Sequence, residues 1–216
     1  MDKEGSRLSM LLGSNYSTRG FKDTLAVECS KDGPSLILTG NRNGVLKIFD
    51  VRCPNSVAAV IQHASSICHI KHVKDVVITV SGLKSTLCNY DQRFIKNRPL
   101  VESWPEVYRR HPQECGLVTE PIFTYPEHEN DAWVAAGFDI DTDTGVAAAA
   151  QTGTSTAVKI FSLKSGKLLR TVDPTRVGHT ADPMLVRAIR FVPDYMGSGR
   201  NNLWVAKGSK VVAYKW

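Results

Sequence analysis

Cysteine is sparse and unpatterned in this chain: Cys29, Cys53, Cys68, Cys88 and Cys115 form no Cys-x-x-Cys pair. An odd, scattered set argues against a disulfide framework and does not suit tetrahedral zinc, so reduced thiols in or near strands are expected. The opening residues Met1-Asp2-Lys3-Glu4-Gly5-Ser6 hold no apolar signal-peptide core. No apolar run approaches the roughly 20 residues that cross a bilayer. The expectation is a soluble intracellular protein of the nucleus or cytoplasm, with no membrane partner. Without export, the glycosylation sequon Asn15-Tyr16-Ser17 carries no weight.

Catalytic signatures are missing as well. There is no G-x-S-x-G elbow, no H-E-x-x-H, no phosphate-binding G-x-x-x-x-G-K-[ST] and no G-x-G-x-x-G after a strand. The histidines His63, His69, His72, His111, His128 and His179 do not pair at metal-ligand spacing on a helix. Asp139-Ile140-Asp141-Thr142-Asp143-Thr144-Gly145 resembles the start of a calcium loop, but its glycine falls one position late and Ala150 stands where the ligating glutamate belongs. An Asp/Thr/Gly turn between two strands fits that stretch better. No enzyme activity, cofactor or metal is expected.

Charge is modest: the formal net charge of +6 gathers around Lys71-His72-Lys74, Arg93-Lys96-Arg98 and Arg109-Arg110-His111. Such a surplus suits nucleic acid or an acidic protein surface. No aromatics interleave with those clusters, so a solvated surface is the expectation and nucleic-acid binding a lesser alternative.

What the chain does contain is strand upon strand. Ser35-Leu36-Ile37-Leu38-Thr39, Val45-Leu46-Lys47-Ile48-Phe49 and Asp75-Val76-Val77-Ile78-Thr79-Val80 are short β-branched runs punctuated by Gly, Asn and Ser. Their apolar content is near-continuous rather than alternating, which means that both faces are covered. The runs also repeat. Thr39 to Asp50 aligns with Val80 to Asp91, then with Gln151 to Ser162, then with Ala206 to Lys215, each reading strand, small-residue turn, strand, aromatic. The closing aromatics Phe49, Tyr90, Phe161 and Tyr214 are expected to be structural, and the interval from Phe49 to Tyr90 is 41 residues. The wider intervals that follow imply insertions.

The block from Thr39 to Asp50 resembles the WD-repeat consensus, with Phe49-Asp50 and Tyr90-Asp91 in place of Trp-Asp. His63 and Gly178-His179 stand where the opening Gly-His of a repeat belongs. The resemblance covers most of residues 21–216 and implies an all-β propeller whose four-stranded blades stack because none can bury both faces alone. Blades are expected at residues 24–61, 67–102, 134–172 and 186–216. The proline-bearing stretch 97–130 reads as a surface insertion, and Asp173 to Pro183 as a looser joint. Residues 1–23 are expected to be an N-terminal segment, with Ser6 to Leu12 a closing strand or the remnant of a blade. Four visible blades against the family's usual seven imply an N-terminally truncated chain, although rings of four are allowed.

Two further tripeptides complete the pattern. Asp50-Val51-Arg52 and Asp91-Gln92-Arg93 follow the closing aromatic in consecutive repeats. A local salt bridge is the plain reading. The pair also resembles the W-D-x-R box of cullin-4-associated factors, which dock on the adaptor damage-specific DNA-binding protein one. That resemblance implies a substrate-recruiting subunit of a cullin-4-type ubiquitin ligase, with Arg52 and Arg93 contacting the adaptor, Asp50 and Asp91 orienting them, and another face holding the target. The alternative is a protein- or peptide-binding scaffold unrelated to ubiquitination.

Overall fold

The computed structural model describes residues 23–30, 35–52, 57–74, 76–95, 118–131, 135–152, 157–173, 185–193 and 201–215. Among them the fold is all-β, with fifteen strands in four antiparallel sheets and helix limited to one 3₁₀ turn, Gln92–Phe94. No helix among these residues is long and apolar enough to cross a membrane.

Sheet one runs β1 (Thr24–Cys29), β2 (Leu36–Asn41), β3 (Val45–Asp50) and β4 (Val57–Gln62), each strand paired with the next. Sheet two repeats this order with β5 (Ile67–Lys74), β6 (Val77–Gly82), β7 (Leu87–Asp91) and β8 (Phe123–Thr124). Sheet three follows with β9 (Phe138–Asp141), β10 (Val146–Ala150), β11 (Val158–Ser162) and β12 (Leu168–Val172). Sheet four shows three strands, β13 (Val186–Pro193), β14 (Asn201–Lys207) and β15 (Lys210–Lys215). The segment expected to supply a closing strand, Ser6 to Leu12, lies outside the described residues.

The strands of the four sheets span 24–62, 67–124, 138–172 and 186–215, beside the repeats expected at 24–61, 67–102, 134–172 and 186–216. The second is corrected. Its fourth strand does not follow directly before residue 102; it is β8, inside the stretch 97–130 that the prolines mark as an insertion. The insertion therefore interrupts a sheet between its third and fourth strands. Phe123 and Thr124 are recovered for the ladder by pairing with Asn89 and Cys88. Tyr125, fully buried, fixes the return by donating from its hydroxyl to Asn89 Oδ1 at 3.0 Å.

The sheets are stacked in chain order, and an apolar layer fills each of the three spaces between neighbours. Leu38, Leu46, Ile48 and Ile61 meet Ile67, Ile70, Ile78, Val80 and Tyr90 between sheets one and two. Leu87 and Tyr125 meet Phe138, Ile140, Ala147, Ala149 and Phe161 between sheets two and three. Val146, Ala148, Ala150, Val158 and Ile160 meet Val186, Ile189, Leu203 and Val205 between sheets three and four. β10, Val-Ala-Ala-Ala-Ala, is buried at every position and faces two of these layers at once. Alanine favours helix in isolation, yet here its small side chain fits a strand pressed from both sides. The first strands β1, β5, β9 and β13 touch in succession along the stack, and sheet one makes no comparable packing on sheet four among the described residues.

Candidate functional site

The two Asp-x-Arg turns take the same geometry. After β3, the Asp50 carboxylate accepts Arg52 N and Arg52 Nε through Oδ1, at 2.9 and 3.0 Å, and Arg52 Nη2 through Oδ2 at 2.7 Å. After β7, Asp91 accepts Arg93 N at 2.9 Å, Nε at 3.0 Å and Nη2 at 2.6 Å. Each aspartate thus closes an Asx turn with one oxygen and forks its own arginine with both. The chain continues antiparallel from each third strand, so both turns occupy equivalent positions in adjacent sheets.

The electrostatics follow from this fork. Arg52's side-chain hydrogen bond, with its backbone N–H adding to it, holds the Asp50 carboxyl down at about 2. Arg93's side-chain hydrogen bond lowers the Asp91 carboxyl likewise. Both aspartates are ionised throughout the physiological range, and both arginines are presented in one orientation with their guanidinium groups exposed. A guanidinium braced this way loses less rotamer freedom on meeting a partner than a loose one. Asp50 and Asp91 thus each hold the arginine two residues on. Next to Arg93 stands Phe94, the most exposed of the described large apolar side chains, whose ring centre lies 5.7 Å from the Arg93 guanidinium carbon.

The closing aromatics occupy one position in each sheet, on the third strands β3, β7, β11 and β15. Tyr90 enters the layer between sheets one and two, Phe161 the layer between sheets two and three, and Tyr214 packs on the layer between sheets three and four. Phe49, at the same register, sits opposite Ile37 on the other face of sheet one from the layer it shares with sheet two. Sheets two, three and four thus each point this aromatic at the sheet before it.

His63 sits fully buried, as its place before sheet two suggests. Its ring nitrogens are 2.8 Å from the Tyr90 hydroxyl and 2.9 Å from Thr86 Oγ1. Thr86 donates to Leu83 O at 2.7 Å, so a consistent pattern has His63 Nε2 donating to Thr86 and Nδ1 accepting from Tyr90. Burial pushes the His63 imidazole down to about 4. His179, whose doublet precedes sheet four in sequence, lies outside the described residues; before sheet three stands His128, set edge-on against Phe161 as His63 is against Tyr90. A doublet search for Gly-His misses it, because Glu127 precedes His128.

Sequence reasoning also missed Asp139. It sits buried on β9, and its carboxylate is 3.1 Å from Lys71 Nζ on β5 and 3.6 Å from Arg190 Nη1 on β13. It accepts Phe191 N as well, at 2.9 Å, so one side chain ties the first strands of three sheets. The neighbouring Asp141 does build the expected Asp/Thr/Gly turn: it accepts from Asp143 N at 3.0 Å and Thr144 Oγ1 at 2.6 Å, with Gly145 at φ 72°. Among the described residues no group of three or more His, Cys, Asp and Glu is placed to hold a metal ion.

No family model matches the chain, and no curated protein matches it. Solved structures do. The chain is similar to the computationally designed Ika4 protein, with a TM-score of 0.58 at 13% identity, over 94% of this chain and 98% of that one. It is also similar to the computationally designed Ika8 protein, with a TM-score of 0.55 at 15% identity, over 92% of this chain and 48% of that one. At such identities the likeness is one of fold. The chain spans the whole of Ika4 and about half the length of Ika8.

Proposed function

We propose that the chain is a non-catalytic WD-repeat propeller scaffold that docks on the adaptor of a cullin-4-type ubiquitin ligase through Arg52 and Arg93. The observation that carries this reading is the matched pair of forked Asp-x-Arg turns at equivalent positions of adjacent sheets. A single such turn would serve as a local brace. Two of them, braced alike and with exposed guanidinium groups, make a repeated polar contact suited to carboxylates and carbonyls on a protein surface. Val51 and Phe94, both exposed, supply apolar area beside the charges. In this reading the two aspartates act as positioning residues, and the target is held elsewhere on the sheets.

The test is direct binding of the purified chain to purified adaptor. Arg52→Ala combined with Arg93→Ala is expected to weaken binding at least ~30-fold, as for two interface arginines worth more than about 1 kcal/mol each. Stability should change by about 1 kcal/mol or less, because the guanidinium groups are exposed and each aspartate keeps the backbone N–H of residue 52 or 93. Unchanged affinity for the adaptor in that variant defeats the docking reading. Retained capture of other proteins by the same variant would then favour a scaffold unrelated to ubiquitination, resting on Phe94.

A further inference from the structure

We infer that Lys164 is a third docking residue on the same rim as Arg52 and Arg93, so that the contact spans three sheets and meets an acidic side chain of the partner at sheet three. This rests on the docking reading above and adds to it the chemistry of the partner's surface.

The turn after the third strand is built the same way in sheets one, two and three. Its middle residue donates its backbone N–H to the carbonyl just before the second strand. Val51 N meets Ser35 O at 2.7 Å, Gln92 N meets Val76 O at 2.8 Å and Leu163 N meets Gly145 O at 2.9 Å. The next backbone N–H goes to the side chain of the residue two positions earlier. Arg52 N meets Asp50 Oδ1 at 2.9 Å, Arg93 N meets Asp91 Oδ1 at 2.9 Å and Lys164 N meets Ser162 Oγ at 3.2 Å. A serine hydroxyl closes such a turn as an aspartate does, though more weakly. Lys164 therefore holds the place of Arg52 and Arg93. The likeness is hidden in the sequence, because Ser162-Leu163-Lys164 shares no residue type with either Asp-x-Arg.

Serine in place of aspartate changes the electrostatics. Arg52 and Arg93 are each forked on a carboxylate of their own, at 2.7 and 2.6 Å, and each pair is neutral as a unit. Ser162 carries no charge, Lys164 is exposed, and no carboxylate reaches its ammonium among the described residues. Asp141, at the same end of sheet three, is held within its own turn by Asp143 N and Thr144 Oγ1. A neutral ion-pair unit suits carbonyl groups of a partner, whereas an uncompensated ammonium is a point charge that a carboxylate answers. Lysine is also strongly hydrated and flexible. Its effect therefore falls on encounter and its salt dependence more than on the lifetime of the complex.

The spacing fits one interface. Stacked sheets lie about 10 Å apart, which puts the first and third turns on the order of 20 Å from each other. A standard patch of about 800 Å² per partner is about 30 Å across and holds all three. Phe94, 77% exposed, follows the middle turn and supplies an apolar centre.

Association kinetics of the purified chain with purified adaptor, at about 50 and 300 mM salt, test this. Lys164→Glu is expected to slow association about five-fold or more at the lower salt, with the gap narrowing at the higher. Lys164→Arg keeps the charge and should associate as the parent does. Lys210→Glu makes the same change of charge at the opposite end of the strands, beside the turn between β14 and β15, and should stay within about two-fold of the parent. Both positions are exposed, so the urea midpoints should match the parent's. Association of Lys164→Glu equal to the parent's, or slowed no more than that of Lys210→Glu, overturns the inference. If Arg52→Ala with Arg93→Ala still weakens binding in that case, the docking reading stands without it. If the double arginine variant binds as the parent does, the docking reading falls and takes this inference with it.

Discussion

Two buried histidines hold opposite kinds of information at the level of single residues. His63 has both ring nitrogens satisfied by Tyr90 and Thr86, whereas His128 faces Phe161, which carries no hydroxyl, and its Nε2 has no hydrogen-bond partner. Tyr90→Phe would leave the His63 Nδ1 lone pair unpaired inside the protein. A loss of about 1–3 kcal/mol is expected in urea unfolding. Burial holds both imidazoles near 4, below the ordinary 6.5. The sign follows: the unfolded chain binds protons before the folded one, so stability is full above about pH 6.5 and falls as pH drops toward 4. Each histidine contributes a slope of about 1.4 kcal/mol per pH unit in that window. Urea midpoints measured at pH 7 and pH 4.5 should show the fall, and His63→Phe should reduce it. The forked aspartates act in the same direction, because their folded carboxyls are also lowered, but in a more acidic window. Their depressed carboxyls keep the turns intact above the usual carboxylate range, and Asp50 loses its contribution only as pH falls toward about 2.

Strands and turns set the next level. Gly44 closes the β2–β3 hairpin at φ 79°, and a Cβ there would lie 2.5 Å from His63 O and 2.7 Å from Ser65 O. Gly44→Ala combines a left-handed backbone with a clash against main chain, so a loss of more than about 1 kcal/mol is expected by thermal or urea unfolding. Gly40 serves a different end. A Cβ at that position would collide with Ile67 of the next sheet, so this glycine sets how closely two sheets approach. The repeat alignment identified the hairpin around Gly44 readily, because Asn43-Gly44 between two β-branched runs is a local signal. β8 was not legible in the same way. It is a two-residue strand beyond a long proline-bearing stretch, and only pairing with Asn89 and Cys88 makes it part of a sheet.

Across the whole molecule, the sheets are joined by apolar layers and by one polar clamp. Asp139 is buried, while Lys71 and Arg190 reach it from the sheets on either side. Asp139→Ala would strand the mostly buried Lys71 ammonium without its anion. A loss of about 3 kcal/mol is expected in urea unfolding, as when one partner of a buried pair is removed. Asp139→Asn keeps the acceptor for Phe191 N and should cost less. The arginine turns behave differently at this scale. They lie outside every layer, so their substitution should cost about 1 kcal/mol or less in stability and show chiefly in binding.

The amino-acid sequence by itself determined that the chain is a succession of strands, where the third strand of each sheet closes on an aromatic, and that two Asp-x-Arg turns occupy matching places. These are local properties: β-branched runs, turn residues and a carboxylate two positions before an arginine act over a few residues of chain. Only the tertiary structure decided that Asp139 is a clamp rather than part of a calcium loop, and that His128 stands buried before sheet three. Those facts depend on which sheet lies against which face, and a side chain's burial is set by neighbours that are distant in sequence.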